Sequence, residues 1–160
     1  MGKETASIEK IRFSDCDPIG HLNNVKYLEY MLNAREDHVE NYYGFTYEEY
    51  IKQTGCTWIA VQNEIAYLKE VRANTKVEIS SKIIEIDDRI SKVELLMRSL
   101  DGKQVHAVLW MTVIYFNMKT RKSESQPKET MELFGKFLVN VEQKSFQERA
   151  NFLRKQNKLG

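Results

Sequence analysis

Between positions 12 and 27 the chain collects the residue types that acyl chemistry needs: Arg12-Phe-Ser-Asp15-Cys-Asp17-Pro-Ile-Gly20-His21-Leu-Asn23-Asn24-Val-Lys-Tyr27. A carboxylate can activate water as a general base or attack a carbonyl carbon itself, and an imidazole can carry a proton. Such chemistry also needs help for the developing oxyanion. A helix N-terminus supplies it through unpaired N–H groups and a positive dipole end. Residues 20–25 lead into a predicted helix, so their amides are expected to polarise a carbonyl, with Gly20 letting the backbone come close. Asp17 lies just upstream. Each residue also has a plainer use. Asp17 alone reads as a turn residue, Asp15 as a turn or cap ligand, and Asn23 and Asn24 as N-caps. His21 is either a polar group of the site or a loop hydrogen-bonder. Cys16 has no evident base to make it a thiolate. Tyr27 and Tyr30 are expected to pack around the helix, and His38 and His106 read as structural.

The elements that must position this stretch follow from periodicity. Residues 7–13 alternate as a first strand, and 15–24 are rich in turn formers. Val25, Leu28, Met31, Leu32, Arg35 and Val39 share one helical face, which predicts a long helix over 24–42 that stops at Gly44. Thr46 caps a short second helix that ends before Gly55. Strands are predicted over 57–71, 75–86, 90–100 and 103–116, with turns at Asp87-Asp88 and Asp101-Gly102. The last of these strands is apolar on both faces and reads as central. Residues 117–127 form a polar connector, Pro127 suits the first turn of a further helix, and 142–160 read as a last helix or a frayed end. One long helix with an apolar stripe needs a sheet to cover it. The fold class is therefore α+β, a curved antiparallel sheet of about five strands wrapped on a long central helix.

The pattern R-x-x-D-x-D-x-x-G-H-x-N-N-x-x-Y resembles the strand–loop–helix signature of the 4-hydroxybenzoyl-CoA thioesterase and acyl-ACP thioesterase groups of the hotdog superfamily, and the chain matches its fixed positions. More weakly, Ile65-Ala-Tyr67-Leu-Lys-Glu70-Val looks like that family's second strand. Residues 127–134 look like its C-terminal helix. The resemblance leaves out the last ~20 residues, within boundary error, which suggests a thioesterase domain over 1–140 and a tail over 141–160. It implies a catalytic carboxylate at Asp17. In the plant acyl-ACP branch it further implies a histidine at the position of His21 and a glutamate at that of Glu70. That branch has asparagine where this chain has Ile19. Gly20, Asn23, Asn24 and Tyr27 are the candidate substrate-binding residues. The implied activity is hydrolysis of an acyl-CoA or acyl-ACP thioester, without metal or cofactor. The alternative is a hotdog protein that binds acyl thioesters without turning them over. Hotdog domains pair, so a homodimer or tetramer is implied.

Composition agrees. The 160 residues are 42% hydrophobic and 29% charged, with a net charge of +1, which favours neither nucleic acid nor an anionic membrane. Two cysteines, Cys16 and Cys56, make no disulfide framework and suit reduced thiols in the cytoplasm. The N-terminus lacks a signal-peptide core, and no apolar run is long enough to cross a bilayer. Asp15-x-Asp17 also resembles the first motif of haloacid-dehalogenase-type phosphatases, but those need a parallel sheet. A metal site at Asp15, Asp17 and His21 lacks a second ligand cluster. A hotdog dehydratase would carry its acid on the helix. Lys69, Arg72, Lys76 and Lys82 are candidates to meet phosphates or an acidic carrier.

Overall fold

The computed structural model describes residues 4–159, so the first three residues, and the N-terminal reading that rests on them, lie outside it. The chain runs β1 (Thr5–Lys10), α1 (Tyr27–His38), α2 (Tyr47–Thr54), β2 (Cys56–Tyr67), β3 (Lys76–Ile86), β4 (Ile90–Ser99), β5 (Val105–Asn117), β6 (Lys122–Ser123), α3 (Lys128–Gly135) and α4 (Phe146–Leu159). Five strands form one antiparallel sheet in the order β1-β3-β4-β5-β2, and β6 pairs with the end of β5. This is the α+β hotdog architecture expected from the sequence.

Alternation along the strands sends one set of side chains to each face. The concave face carries Val77, Ile79, Val93, Leu95, Met97, Leu109 and Met111, which pack with Tyr27, Met31 and Ala34 of α1 as the main core. On the outer face Leu96, Val105, Val108 and Trp110 pack with Ala150 and Leu153 of α4. Both faces of β5 are thus covered, as its two apolar registers require. The predicted helix over 24–42 is a composite. A 3₁₀ turn spans Asn24–Lys26, α1 follows, and a π-helical turn over Val39–Tyr43 ends at Gly44 with φ +88°. Thr46 and Glu49 form a reciprocal capping box on α2, which ends at Gly55 in the left-handed region.

Four expectations shift. The first strand occupies 5–10 rather than 7–13, because Ile11 leaves the ladder and a 3₁₀ turn follows at Phe13–Asp15. The strand expected over 57–71 stops at Tyr67: Leu68 and Lys69 turn their amides to the carbonyl of His106. The polar connector holds β6, so β5 is not the last strand. Pro127 caps α3 and stands just before its first turn.

Candidate active site

The site is built where three segments converge at the start of the helix. The 15–22 segment folds on itself: Asp17 N–H donates to His21 O at 2.8 Å, and Gly20 N–H donates to Asp17 O at 2.9 Å. Gly20 turns the chain at φ +84°, and a Cβ there would meet no atom within 4 Å. The turn itself calls for glycine, because that φ lies in the left-handed region. The 68–73 strap is laid across this turn. Leu22 N–H donates to Val71 O at 2.9 Å, Ala73 N–H donates to Gly20 O at 3.0 Å, and His21 faces Arg72 in an antiparallel bridge.

What holds the strap is a bulge. Met97 pairs with Ala107 while Arg98 pairs with Val105, so His106 is the extra residue on β5. Its carbonyl is left for the strap and accepts from Leu68 N–H at 2.8 Å and Lys69 N–H at 3.2 Å. Its Nδ1 lies 3.1 Å from Lys69 O. Burial lowers the His106 pKa, against hydrogen bonds to the 69–70 backbone that raise it. Bulges commonly re-aim neighbouring groups in this way.

These contacts bring Asp17, His21, Asn24, Tyr27 and Glu70 to one open depression of about 290 Å³. Asp17 Oδ1 accepts from the N–H groups of Ile19 and His21, both at 3.1 Å. Its Oδ2 has no partner among the described residues. His21 Nδ1 lies 3.0 Å from Glu70 Oε2, so the glutamate expected from the second strand does meet the histidine of the turn, although it sits on the strap. Tyr27 is 2% exposed, and burial raises its pKa.

Two parts of the expected set stand apart. Gly20 and Asn23 do not line the depression. Asn23 is the N-cap, its Oδ1 accepting from Val25 N–H at 3.1 Å, while Asn24 is the first helical residue and caps nothing. The expectation that the amides of 20–25 face a substrate also needs correction. Those of Gly20, His21, Leu22, Asn23 and Val25 are spent within the protein. Only the Asn24 N–H has no acceptor among the described residues.

Asp15 has the structural role expected of it. Tyr30 Oη donates to Asp15 Oδ2 at 2.6 Å and accepts from Arg12 N–H at 2.9 Å, which ties the end of the first strand to α1. Burial, and then the bond to Asp15, raise the Tyr30 pKa. Cys16 is pushed up by desolvation and by Asp17 and Asp15, which keeps it a thiol. Of the lysines and arginine considered for phosphates, Lys82 is committed to Glu4 and Glu94 at 3.3 and 3.2 Å. Lys69 and Arg72 are exposed beside the depression.

Two neighbours beside Lys69 were not singled out from the sequence: Tyr67 and Leu68. Tyr67 Oη donates to Asn24 O at 3.2 Å, and its ring meets Tyr27 edge-on at 5.1 Å. Tyr67 was legible as a strand residue, but neither its place at the strand's end nor its reach to the helix start was.

The chain is similar to known proteins in sequence and in fold. The long-chain acyl-CoA thioesterase FadM of Escherichia coli (strain K12) is 24% identical over 126 residues, which cover 77% of this chain and 93% of that protein. The DHNA-CoA thioesterase of Staphylococcus aureus superposes with a TM-score of 0.73 at 18% identity, covering 83% of this chain and 89% of that one. The SAV2348 protein of Staphylococcus aureus, solved in complex with CoA, gives a TM-score of 0.78 at 14% identity, over 91% and 90% of the two chains. The 12:0-ACP thioesterase of Umbellularia californica gives 0.75 at 15% identity, over 91% of this chain and 54% of that one. The family model described as the thioesterase-like superfamily matches residues 11–134, which include every candidate site residue, and the chain belongs to that superfamily.

Proposed function

We propose that this chain hydrolyses an acyl thioester of coenzyme A, or of acyl carrier protein, to the free acid and the thiol, with Asp17 as the carboxylate that acts at the carbonyl. The observation that carries this reading is the state of Asp17. One carboxylate oxygen is pinned by two backbone N–H groups, the other is unpartnered, and the residue lines a depression at a helix start that holds an unspent N–H on Asn24. That N–H and the dipole end of the helix suit the oxyanion.

Two routes use this geometry. As a general base, Asp17 takes a proton from water, the hydroxide adds to the carbonyl carbon, and the C–S bond breaks to release the thiol. As a nucleophile, its oxygen bonds to the carbon, the thiolate leaves and is protonated, and water then hydrolyses the mixed anhydride. In a single turnover in ¹⁸O water, label in Asp17 assigns the second route, with water opening the anhydride at the aspartyl carbon. His21, oriented by Glu70, is the proposed proton carrier, Asn24 and Tyr27 contact the acyl carbonyl region, and Gly20 and Asn23 shape the turn and cap that present them. In this reading Lys69 and Arg72, both exposed, take the phosphates of the carrier arm. FadM and the CoA-bound SAV2348 protein support coenzyme A as the carrier; the 12:0-ACP thioesterase supports acyl carrier protein.

We assign the catalytic unit to residues 1–140 and the active form to a homodimer, or a tetramer built from it. β2 is an edge strand of 12 residues, with Ile59 and Val61 37% and 56% exposed, and such an edge calls for a partner. Phe13, Ile19 and Val25, all at least 70% exposed, ring the Asp17 turn, and apolar surface of this kind marks an interaction site. Both cysteines are free thiols, in keeping with the cytoplasm as the compartment. Among the described residues no helix is long and apolar enough to cross a membrane.

The deciding experiment is a hydrolysis panel of short, long and aromatic acyl-CoAs and acyl-ACPs, run on the wild type and on Asp17→Asn. Turnover of at least one thioester, lost in the variant, is expected. Binding without turnover across the whole panel would replace this reading with that of an acyl-thioester binder.

A further inference from the structure

A second cavity, of about 240 Å³, lies on the concave side of the sheet beside the C-terminal half of α1. It shares no lining residue with the Asp17 depression. Its walls are the rings of Phe45, Tyr47, Trp58 and Phe134, and its floor is apolar sheet from β4 and β5. Arg35 also faces it. Arg35 follows Tyr27 by eight positions, roughly 12 Å along the helix at 1.5 Å per residue.

Arg35 and Glu94 are the two side chains of fixed charge that are buried among the described residues, at 5% and 0% exposure. The fold treats them differently. Glu94 is met by Lys82, by Arg149 through two nitrogens, and by the Trp110 indole. Arg35 donates to Ser81 Oγ at 2.9 Å and to Tyr43 Oη at 3.2 Å, and stands 4.8 Å from the centre of the Tyr43 ring. A guanidinium has five N–H donors, and no carboxylate of the described residues forms an ion pair with this one. Glu36, next in the chain, lines the same cavity but is exposed to solvent. The neighbouring His38 is no counter-ion either: an imidazole is neutral or cationic, and burial and then the charge of Arg35 push its pKa down to about 4. A buried cation without a counter-ion is costly unless something supplies one.

We propose that this cavity binds a carboxylic acid with an apolar body: the body fills the aromatic cage, and the carboxylate completes the ion pair that Arg35 lacks. The choice of a carboxylate among anions rests on the proposed reaction, which releases one. The acid has two sources, the product of hydrolysis or the far end of a dicarboxylic acyl thioester, and the chemistry recognised is the same.

Calorimetric titration of the full-length Asp17→Asn protein with octanoate and with 1-octanol tests the site without turnover. Octanoate is expected to bind at least tenfold more tightly. Arg35→Met should erase that preference, and Arg35→Lys should restore part of it. Equal binding of the alcohol and the acid, or an undiminished preference in Arg35→Met, would overturn the proposal. Because Arg35 is buried and its variants carry a folding risk, Val93→Phe fills the floor and leaves Arg35 in place. Octanoate binding there as tight as in the parent would equally overturn it. Turnover of octanoyl-CoA against its eight-carbon ω-carboxyl analogue then names the source. A tenfold preference for the analogue that vanishes in Arg35→Met assigns the far carboxylate, and equal turnover with inhibition by octanoate assigns the released acid. A protein that binds octanoate but cleaves no thioester would sink the proposed function and leave this site standing.

Discussion

At the residue scale, Asp15 and Asp17 are two positions apart and differ in what surrounds them. Asp15 is consumed by Tyr30 and lies 3.9 Å from Lys26; Asp17 keeps one oxygen unpartnered beside the depression. Asp17→Asn preserves size but removes the charge, so turnover should fall by at least ~10². Binding of a non-hydrolysable thioester analogue should barely change, because the lost interaction acts in the transition state. Asp15→Asn should do the reverse, lowering the urea midpoint while turnover per folded molecule stays within a few-fold. Near-normal turnover in Asp17→Asn, with Asp15→Asn folded but dead, would mean the wrong carboxylate has been chosen. His21 and Glu70 form a contact that can be measured as a coupling. If Glu70 acts only through His21, the turnover losses of His21→Ala and Glu70→Gln should not add in the double variant.

At the element scale, the composite helix sets both the site and a pH limit on stability. Its buried His38 lies 2.9 Å from Ser7 Oγ through Nε2 and 2.8 Å from Ser81 Oγ through Nδ1. Burial and Arg35 hold its pKa at about 4, against an ordinary 6.5. The unfolded chain therefore binds the proton first as pH falls. The stabilisation is whole above about pH 6.5 and is lost progressively toward pH 4, by on the order of 3 kcal/mol. Urea midpoints at pH 7 and pH 4.5 should differ more in the wild type than in His38→Gln. The cap on α2 gives a smaller effect: Thr46→Ala removes half of the capping box and should cost about 1 kcal/mol. Most of this architecture was legible. The apolar spacing from Val25 to Val39 gave the long helix, Gly44 its end, Gly55 the end of α2, and Asp101-Gly102 the hairpin. The strap over 68–73 was not. Ile65 to Val71 reads as unbroken strand, and nothing local shows that a bulge at His106 will take the amides of Leu68 and Lys69. The aromatic cage was likewise hidden, since Phe45, Tyr47, Trp58 and Phe134 come together only through the tertiary fold. The spending of the 20–25 amides is a matter of three-dimensional pairing that residue types cannot reveal.

At the scale of the whole molecule, α4 closes the outer face of the sheet, and its anchor is the buried Glu94. Burial alone would raise the Glu94 pKa; the bonds and charges of Arg149 and Lys82 outweigh it and hold the carboxyl below its usual range. Glu94→Gln leaves Arg149 without a carboxylate and Lys82 with Glu4 alone, and should destabilise the protein by about 3–5 kcal/mol, read as a lower midpoint in chemical denaturation. Light scattering should show a dimer or larger at micromolar concentration, and a monomer there would contradict the pairing assigned to β2. The strand order has a kinetic consequence. β3, β4 and β5 follow one another in the chain and pair as successive hairpins, whereas β1 waits for partners such as Ser81, 76 residues beyond Thr5. Closing a long loop costs entropy before any contact repays it, so the three-strand block should organise first and α1 with β1 should dock late. Replacing Leu95 by Ala should then slow refolding. Replacing Met31 by Ala should leave refolding nearly unchanged and speed unfolding instead, a contrast that stopped-flow measurements on the two variants would resolve.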